Sequence, residues 1–270
     1  MSARWRLSLI GMGMGSPAHL TREGEQALRR LDLLLLPDKG EDKAELAAAR
    51  LRLLQAVCPG FDADVGSGPR VARYAVPQRE GSDADDTVRY LDGVRRWHDA
   101  LALAWVQALR KHLPHGGQAG LLIWGDPALF DSSMRIARRV AQQLPIELEV
   151  VPGISALQAL AAAHAVPLND LASPVLITTG RRLRQGGCPA DVPALAVMLD
   201  GGTAFEALPD PHAWHIWWGA YLGLPQQSLD SGPLPQAGPR IVRTRAALRQ
   251  AHGWILDIYL LKRRGADDDC

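Results

Sequence analysis

The chain has 270 residues, 47% of them hydrophobic and 22% charged, with a formal net charge of +1. That length suits one large or two ordinary domains, of which two are expected, and no apolar run is long enough to span a bilayer. The near-zero charge withholds the chain-wide attraction to nucleic acid that a strongly basic protein offers. Three scattered cysteines, Cys58, Cys188 and Cys270, match neither a zinc site nor a disulfide framework, so a reducing cytoplasm is expected.

Residues 5–10 read as a buried first strand, because the apolar run is cut by Gly11, Gly13 and Gly15 and no signal-peptide cleavage pattern follows. A helix over 21–30, with Thr21 as N-cap and Glu23 in its first turn, and a second strand over 31–36 complete a β-loop-α-β start. Strong helix formers fill 41–57, a short strand over 71–76 lies between Pro69 and Pro77, and 85–111 reads as a long helix. Next come a strand over 120–124, an amphipathic helix over 131–144 capped by Asp131, a strand over 146–151, and a helix over 155–164 capped by Ser155. Alternating strand and helix predicts a parallel sheet with its loops gathered along one edge.

Beyond that helix the pattern becomes strand-rich, at 175–178, 194–199, 215–218 and 255–261, which predicts a second lobe of mixed α/β type. Residues 232–239 read as a proline- and glycine-rich connector, and 265–270, with three successive aspartates, as a solvated tail. The expected division is an N-terminal α/β lobe over 1–157 and a C-terminal mixed lobe over 158–270.

Residues 9–21, LIGMGMGSPAHLT, look at first like a dinucleotide loop, since Asp38 ends the next apolar run. An NAD-dependent oxidoreductase is therefore one reading. The third glycine of that fingerprint is missing, however, and Pro17 removes an N–H near the helix start, where a pyrophosphate needs donors. The loop must bend tightly and admit something at close range; it has no need to hold phosphate. Asp126, in the Gly125-Asp126-Pro127 turn, is a candidate to bind a ligand amine or to act in acid–base chemistry, with turn formation as its plain alternative. His19 is a candidate proton donor or acceptor. Arg181, Arg182 and Arg184, and Arg240, Arg243 and Arg245, have the chemistry to pair with carboxylates, although solvated faces are the default for such runs. His112 with His115, and His212 with His215, have spacings a metal could use, but no acid or cysteine completes either set, so no metal is expected. Trp214, Trp217 and Trp218 read as packing.

Taken together, G-x-G-x-G-x-P-x-x-L-T from Gly11, GDPALF at 125–130 and VPGISALQA at 151–159 resemble, in this order, the tetrapyrrole (precorrin) methylase family. The resemblance implies a two-lobed α/β fold, a parallel-sheet lobe and a mixed-sheet lobe with a ligand cleft between, and an S-adenosylmethionine-dependent methyltransferase. Three less common stretches, LLLLPDKGEDKAEL at 33–46, YLDGVRRWHDAL at 90–101 and RTRAALRQAHGWILDIYLLKR at 243–263, are similar to members that methylate C1 of precorrin-5 and release its acetyl group as acetate. Another precorrin position or an RNA base remains an alternative acceptor within the family.

By the same resemblance the methyl donor is expected at Pro17, Trp124, Gly125, Asp126, Leu129, Phe130, Ser155, Ala156, Leu199, Gly219, Ala220, Pro239 and Arg240. Gly13, Gly15, Arg181, Arg243 and Arg245 are expected to meet the tetrapyrrole, and the enzyme is expected to be a homodimer without nucleic-acid or membrane partners. A sulfonium nucleoside carries no pyrophosphate, so the missing third glycine suits it.

Overall fold

The computed structural model describes residues 4–38, 44–58, 61, 68–78, 87–189 and 191–264. The chain divides into two compact units, Met1–Ile154 and Ser155–Cys270. Among the described residues no helix is long and apolar enough to cross a membrane.

In the first unit the elements are β1 (Arg4–Gly11), α1 (Arg22–Arg29), β2 (Leu33–Asp38), α2 (Ala44–Val57), β3 (Arg70–Ala75), α3 (Thr87–His112), β4 (Gly116–Ile123), α4 (Ser133–Ala141) and β5 (Ile146–Val151). The strands pair in the order β3-β2-β4-β1-β5, every pair parallel. Because side chains alternate across a strand, Leu7, Leu9, Leu33, Leu35, Leu121 and Ile123 pack on the α3/α4 side, with Trp105, Leu109 and Ile136. Their neighbours Ile10, Leu34 and Leu122 pack with Leu28, Leu53 and Leu54 of α1 and α2. Both faces are covered, which is why these strands read as continuous apolar runs. Each fully buried leucine contributes about 1.5–3 kcal/mol by leaving water.

The helix α4 begins at Ser133, not at Asp131 as the sequence suggests. Asp131 still acts at this end, its Oδ1 accepting the Ser133 N–H at 2.6 Å. Thr21 caps α1 as expected, its hydroxyl accepting the Gly24 N–H at 3.0 Å. The N-terminal ends expected for the helices from 41 and 85, and the tail 265–270, lie outside the described residues.

The second unit contains α5 (Ala156–His164), β6 (Val175–Thr179), α6 (Gly180–Gly186), β7 (Ala194–Met198), β8 (Trp214–Ala220), β9 (Ser228–Pro233), α7 (Leu234–His252) and β10 (Asp257–Arg263). Its sheet runs β6-β7-β10-β8-β9, with β6 and β7 parallel and the remaining pairs antiparallel. The connector expected over 232–239 is not one: Gly232 and Pro233 end β9, and Leu234 through Pro239 form the first turns of α7. Proline is tolerated near a helix start, and Pro239, deeper in, costs one hydrogen bond. The helix persists because Leu234, Ala237, Gly238, Ile241 and Arg245 bury one face at helical spacing.

Candidate functional site

Strands β4, β1 and β5 are neighbours, so the turns that follow them lie side by side at the carboxyl edge of the sheet, where open parallel sheets bind ligands. The first two turns are laced together: Gly125 N–H donates to Gly13 O at 2.8 Å, Gly13 N–H to Gly125 O at 3.3 Å, and Met12 N–H to Ile123 O at 2.8 Å. The third is drawn in by Asp126, whose Oδ2 accepts the Gly153 N–H at 2.9 Å while Oδ1 accepts the Ala128 N–H at 2.7 Å. Asp126 therefore clamps two turns, the plain role weighed for it; each oxygen keeps a second lone pair for a ligand. Backbones approach so closely that a Cβ on Gly11 would stand 2.6 Å from Gly153 N, and one on Gly153 would stand 2.3 Å from Gly125 O.

The glycine loop uses most of its amides internally. Met12 and Gly13 donate to β4 and its turn, Met14 N–H to His19 Nδ1 at 3.4 Å, Ala18 N–H to the Ser16 hydroxyl at 3.3 Å, and His19 and Leu20 to Ser16 and Pro17 carbonyls. Pro17, exposed at the start of the short 3₁₀ turn Pro17–His19, has no N–H to offer. Six amides of this loop are thus committed, which leaves few donors for a pyrophosphate, whereas a sulfonium nucleoside carries no phosphate and requires none. Gly13 and Gly15 hold φ of 64° and 94°, which a side chain resists. Partial burial pulls the His19 imidazole below its ordinary pKa, keeping the ring neutral. With Nδ1 accepting from Met14, the remaining proton sits on Nε2.

Trp124 is half-buried beside these turns, with Leu129, while Phe130 is 44% exposed at φ 50°. In the second unit Leu199 follows β7 at φ 51° and is 60% exposed. Two expected donor contacts thus present apolar side chains from left-handed backbone, which costs on the order of 1–3 kcal/mol unless the surroundings enforce it. For Leu199 the enforcing group is its neighbour. Asp200 is buried, and its carboxylate accepts Ala204 N–H at 2.7 Å, Gly202 N–H at 3.1 Å, Arg184 Nη1 at 2.6 Å and the Tyr259 hydroxyl at 2.8 Å. Burial alone would raise its pKa; these donors overcome that and hold it below the ordinary carboxylate value. Tyr259→Phe removes one of the four and is expected to cost about 1–2 kcal/mol, read as a lower urea midpoint with unchanged slope.

Arg245 has a different task from the substrate contact expected of it: it is buried, donating from Nε to Asp257 Oδ2 and from Nη2 to Asp200 O, both at 2.8 Å. Trp218 Nε1 also donates to Asp257, at 3.0 Å. Arg240 is tied to Asp230, with Nη2 at 2.6 Å and Nε at 3.1 Å, and Pro239 lies inside α7. Gly219 and Ala220 are buried in β8, paired with β9 and β10. Arg243 is exposed on α7, and Arg181 half-buried on α6. Ser155 is buried at the start of α5, its N–H donating to Gln158 Oε1 at 2.8 Å, and Ala156 follows it as the first helical residue. Among the described residues no three His, Cys, Asp or Glu groups could share a metal ion. Sequence reasoning missed Asp200, since its partners Arg184 and Tyr259 lie 16 and 59 residues away.

Residues 6–236 match the family described as tetrapyrrole (corrin/porphyrin) methylases. Over 266 residues, 98% of this chain and 97% of the relative, the sequence is 41% identical to a precorrin-6A synthase [deacetylating] of Sinorhizobium sp. A putative cobalamin synthesis related protein (CobF) from Corynebacterium diphtheriae superposes with a TM-score of 0.77 at 32% identity, covering 97% of this chain and 99% of that one. The fold is shared, at 18% identity and a TM-score of 0.54, with a uroporphyrin-III C-methyl transferase from Thermus thermophilus complexed with S-adenyl homocysteine; 95% of this chain and 97% of that one are covered. With a family match over residues 6–236 and a relative 41% identical across 98% of its length, the chain belongs to the tetrapyrrole (corrin/porphyrin) methylases.

Proposed function

We propose that the protein is a precorrin-6A synthase of the deacetylating kind, methylating C1 of precorrin-5 with S-adenosylmethionine and releasing the acetyl group as acetate. The observation that carries this reading is the 41% identity to the Sinorhizobium enzyme across 98% of the chain. The glycine loop, with most of its amides committed internally, supports a donor without phosphate and so weighs against a nicotinamide cofactor. When bound, S-adenosylmethionine supplies an electrophilic methyl group on a good leaving thioether.

In the first unit the residues proposed to hold it are Pro17, Trp124, Gly125, Asp126, Leu129 and Phe130. In the second they are Ser155, Ala156, Leu199 and the small residues Gly219 and Ala220. Asp126 has a positioning role, because its carboxylate fixes the turns that carry the others. Gly13 and Gly15 admit the macrocycle at close range, and Arg181 and Arg243 are the arginines proposed for its carboxylate arms. Loss of the acetyl group adds water to its carbonyl and leaves the electron pair of the broken bond on C1. His19, neutral with its proton on Nε2, donates to a developing oxyanion more readily than it accepts. A cytoplasmic homodimer is the proposed state; sedimentation of the purified protein reads the dimer.

Incubation with precorrin-5 and 13C-methyl donor is expected to give one equivalent of acetate per methyl transferred. Methylation without acetate would remove the deacetylating assignment; tight binding of NAD alone, with no response to S-adenosylhomocysteine, would remove the methyltransferase.

A further inference from the structure

The first unit contains a second feature, which borders the proposed donor site through Trp124 and Phe130. A cavity of about 270 Å³ opens under the segment from Trp124 to Ser133, lined by Arg50, Tyr74, Trp105, Trp124, Phe130 and Asp131 among others. It is small beside the pockets that take whole drug-sized ligands, and far too small for a macrocycle.

Arg50 of α2 is 7% exposed. Its Nε donates to Leu122 O at 3.1 Å and its Nη1 to Leu46 O at 3.0 Å, both uncharged acceptors, and its guanidinium carbon lies 5.6 Å from the Trp124 ring centroid. No ion pair to Arg50 occurs among the described residues. Burial brings its pKa down to about 10, so the group is still a cation at neutral pH. Tyr74 supplies no counter-charge, since burial pushes its phenol up to about 12 and leaves it a neutral hydroxyl. Asp131 lines the same cavity and its negative charge favours the Arg50 cation, but its Oδ1 accepts the Ser133 N–H and neither of its oxygens comes within ion-pair distance of the guanidinium. The indole Nε1 of Trp124 is buried with no partner among the described residues. A desolvated cation with no carboxylate in direct hydrogen-bond contact and an unused N–H donor in one small cavity leave room for an anion with acceptor oxygens, because a buried charge without a hydrogen-bonded counter-ion is costly and a guanidinium matches a carboxylate in shape.

We propose that this cavity is a carboxylate-binding subsite, in which the Arg50 guanidinium meets an acetate- or propionate-type group. The source of that group rests on the function proposed above: a side arm of the macrocycle, or the acetate set free from it.

Three tryptophans, Trp97, Trp105 and Trp124, line the cavity, so intrinsic fluorescence reports its occupancy. Titration of the purified full chain with sodium acetate and sodium propionate is expected to change emission saturably, while acetamide and sodium chloride leave it unchanged. Arg50→Met is expected to weaken the acetate response at least ten-fold, with Arg50→Lys retaining part of it. In turnover, Arg50→Lys is expected to raise KM for precorrin-5 more than it lowers kcat. Acetate competing with precorrin-5 assigns the subsite to a side arm, and noncompetitive inhibition assigns it to the released product. An equal response to acetate and acetamide, or none to either, overturns the subsite in the wild type alone, even if Arg50→Met does not fold. An acetate response without conversion of precorrin-5 removes the proposed function and keeps the subsite. Conversion without an acetate-specific response removes only the subsite.

Discussion

Asp200→Ala is expected to destabilise the second unit by about 3–5 kcal/mol, the range for removing one partner of a buried charged network. Little of that comes from Arg184, whose side chain is 42% exposed and returns to water. The larger part comes from the Tyr259 hydroxyl and the Ala204 N–H, buried groups left without their acceptor. Leu199 would lose the anchor beside it and relax from φ 51°, so the affinity for S-adenosylhomocysteine is expected to fall together with the urea midpoint. A variant with wild-type stability and affinity would show that the loop holds itself.

Asp200 also sets an acid limit. Its folded-state pKa is depressed, with donors outweighing burial, so the unfolded chain takes up its proton first as the solution is acidified. The stabilisation it supplies is complete above the unfolded value of about 4 and is lost as pH falls through the lower folded value. Asp257 shifts the other way, raised by burial despite Arg245 and Trp218, and contributes the opposite slope. Comparing the wild type with Asp200→Asn cancels that common background. The difference in unfolding free energy is expected to be flat at neutral pH and to shrink below about pH 4.

Gly153→Ala is expected to reduce turnover by about 100-fold, the scale of a misplacement of about 1 Å at a reacting centre. The added methyl would stand 2.3 Å from Gly125 O and 2.8 Å from Gly11 C, both backbone atoms with no side-chain freedom to yield. The turns after β1, β4 and β5 must then separate, breaking the Gly153-to-Asp126 bond of 2.9 Å. Overpacking of this kind costs about 1–3 kcal/mol of stability as well. Gly186→Ala is the control: its Cβ meets nothing within 4 Å, and neither activity nor stability is expected to fall.

The parallel sheet and its three turns were legible because strands buried on both faces are written as apolar runs and end in glycine. The start of α7 was not. Gly232, Pro233, Pro235, Gly238 and Pro239 carry every local mark of a break, and only the tertiary burial of Leu234, Ala237 and Ile241 overrides it. The edge strand β9, Ser228-Leu229-Asp230-Ser231-Gly232-Pro233, holds too little apolar character to show a period. Of the candidate arginines, Arg245 and Arg240 stand in a run that reads as a charged face; the acids that claim them, Asp257 and Asp230, become neighbours only when the sheet forms. Arg50 is hidden for the same reason, as one of two arginines, with Arg52, among the alanines and leucines of α2.

The central place of β10 in the second sheet governs how that unit is made. It pairs with β7 on one side and β8 on the other, and those two strands have no ladder with each other. By this order the pairs β6–β7 and β8–β9 cannot be joined into one sheet before residues 257–263 have been synthesised. Tyr259 and Asp257 ride on that same strand, so the insertion that closes the sheet also delivers partners to Asp200 and Arg245. Assembly of this half is a late, long-range event, slow by its topology, and the interval before it is when nascent chains are most exposed to edge-to-edge association.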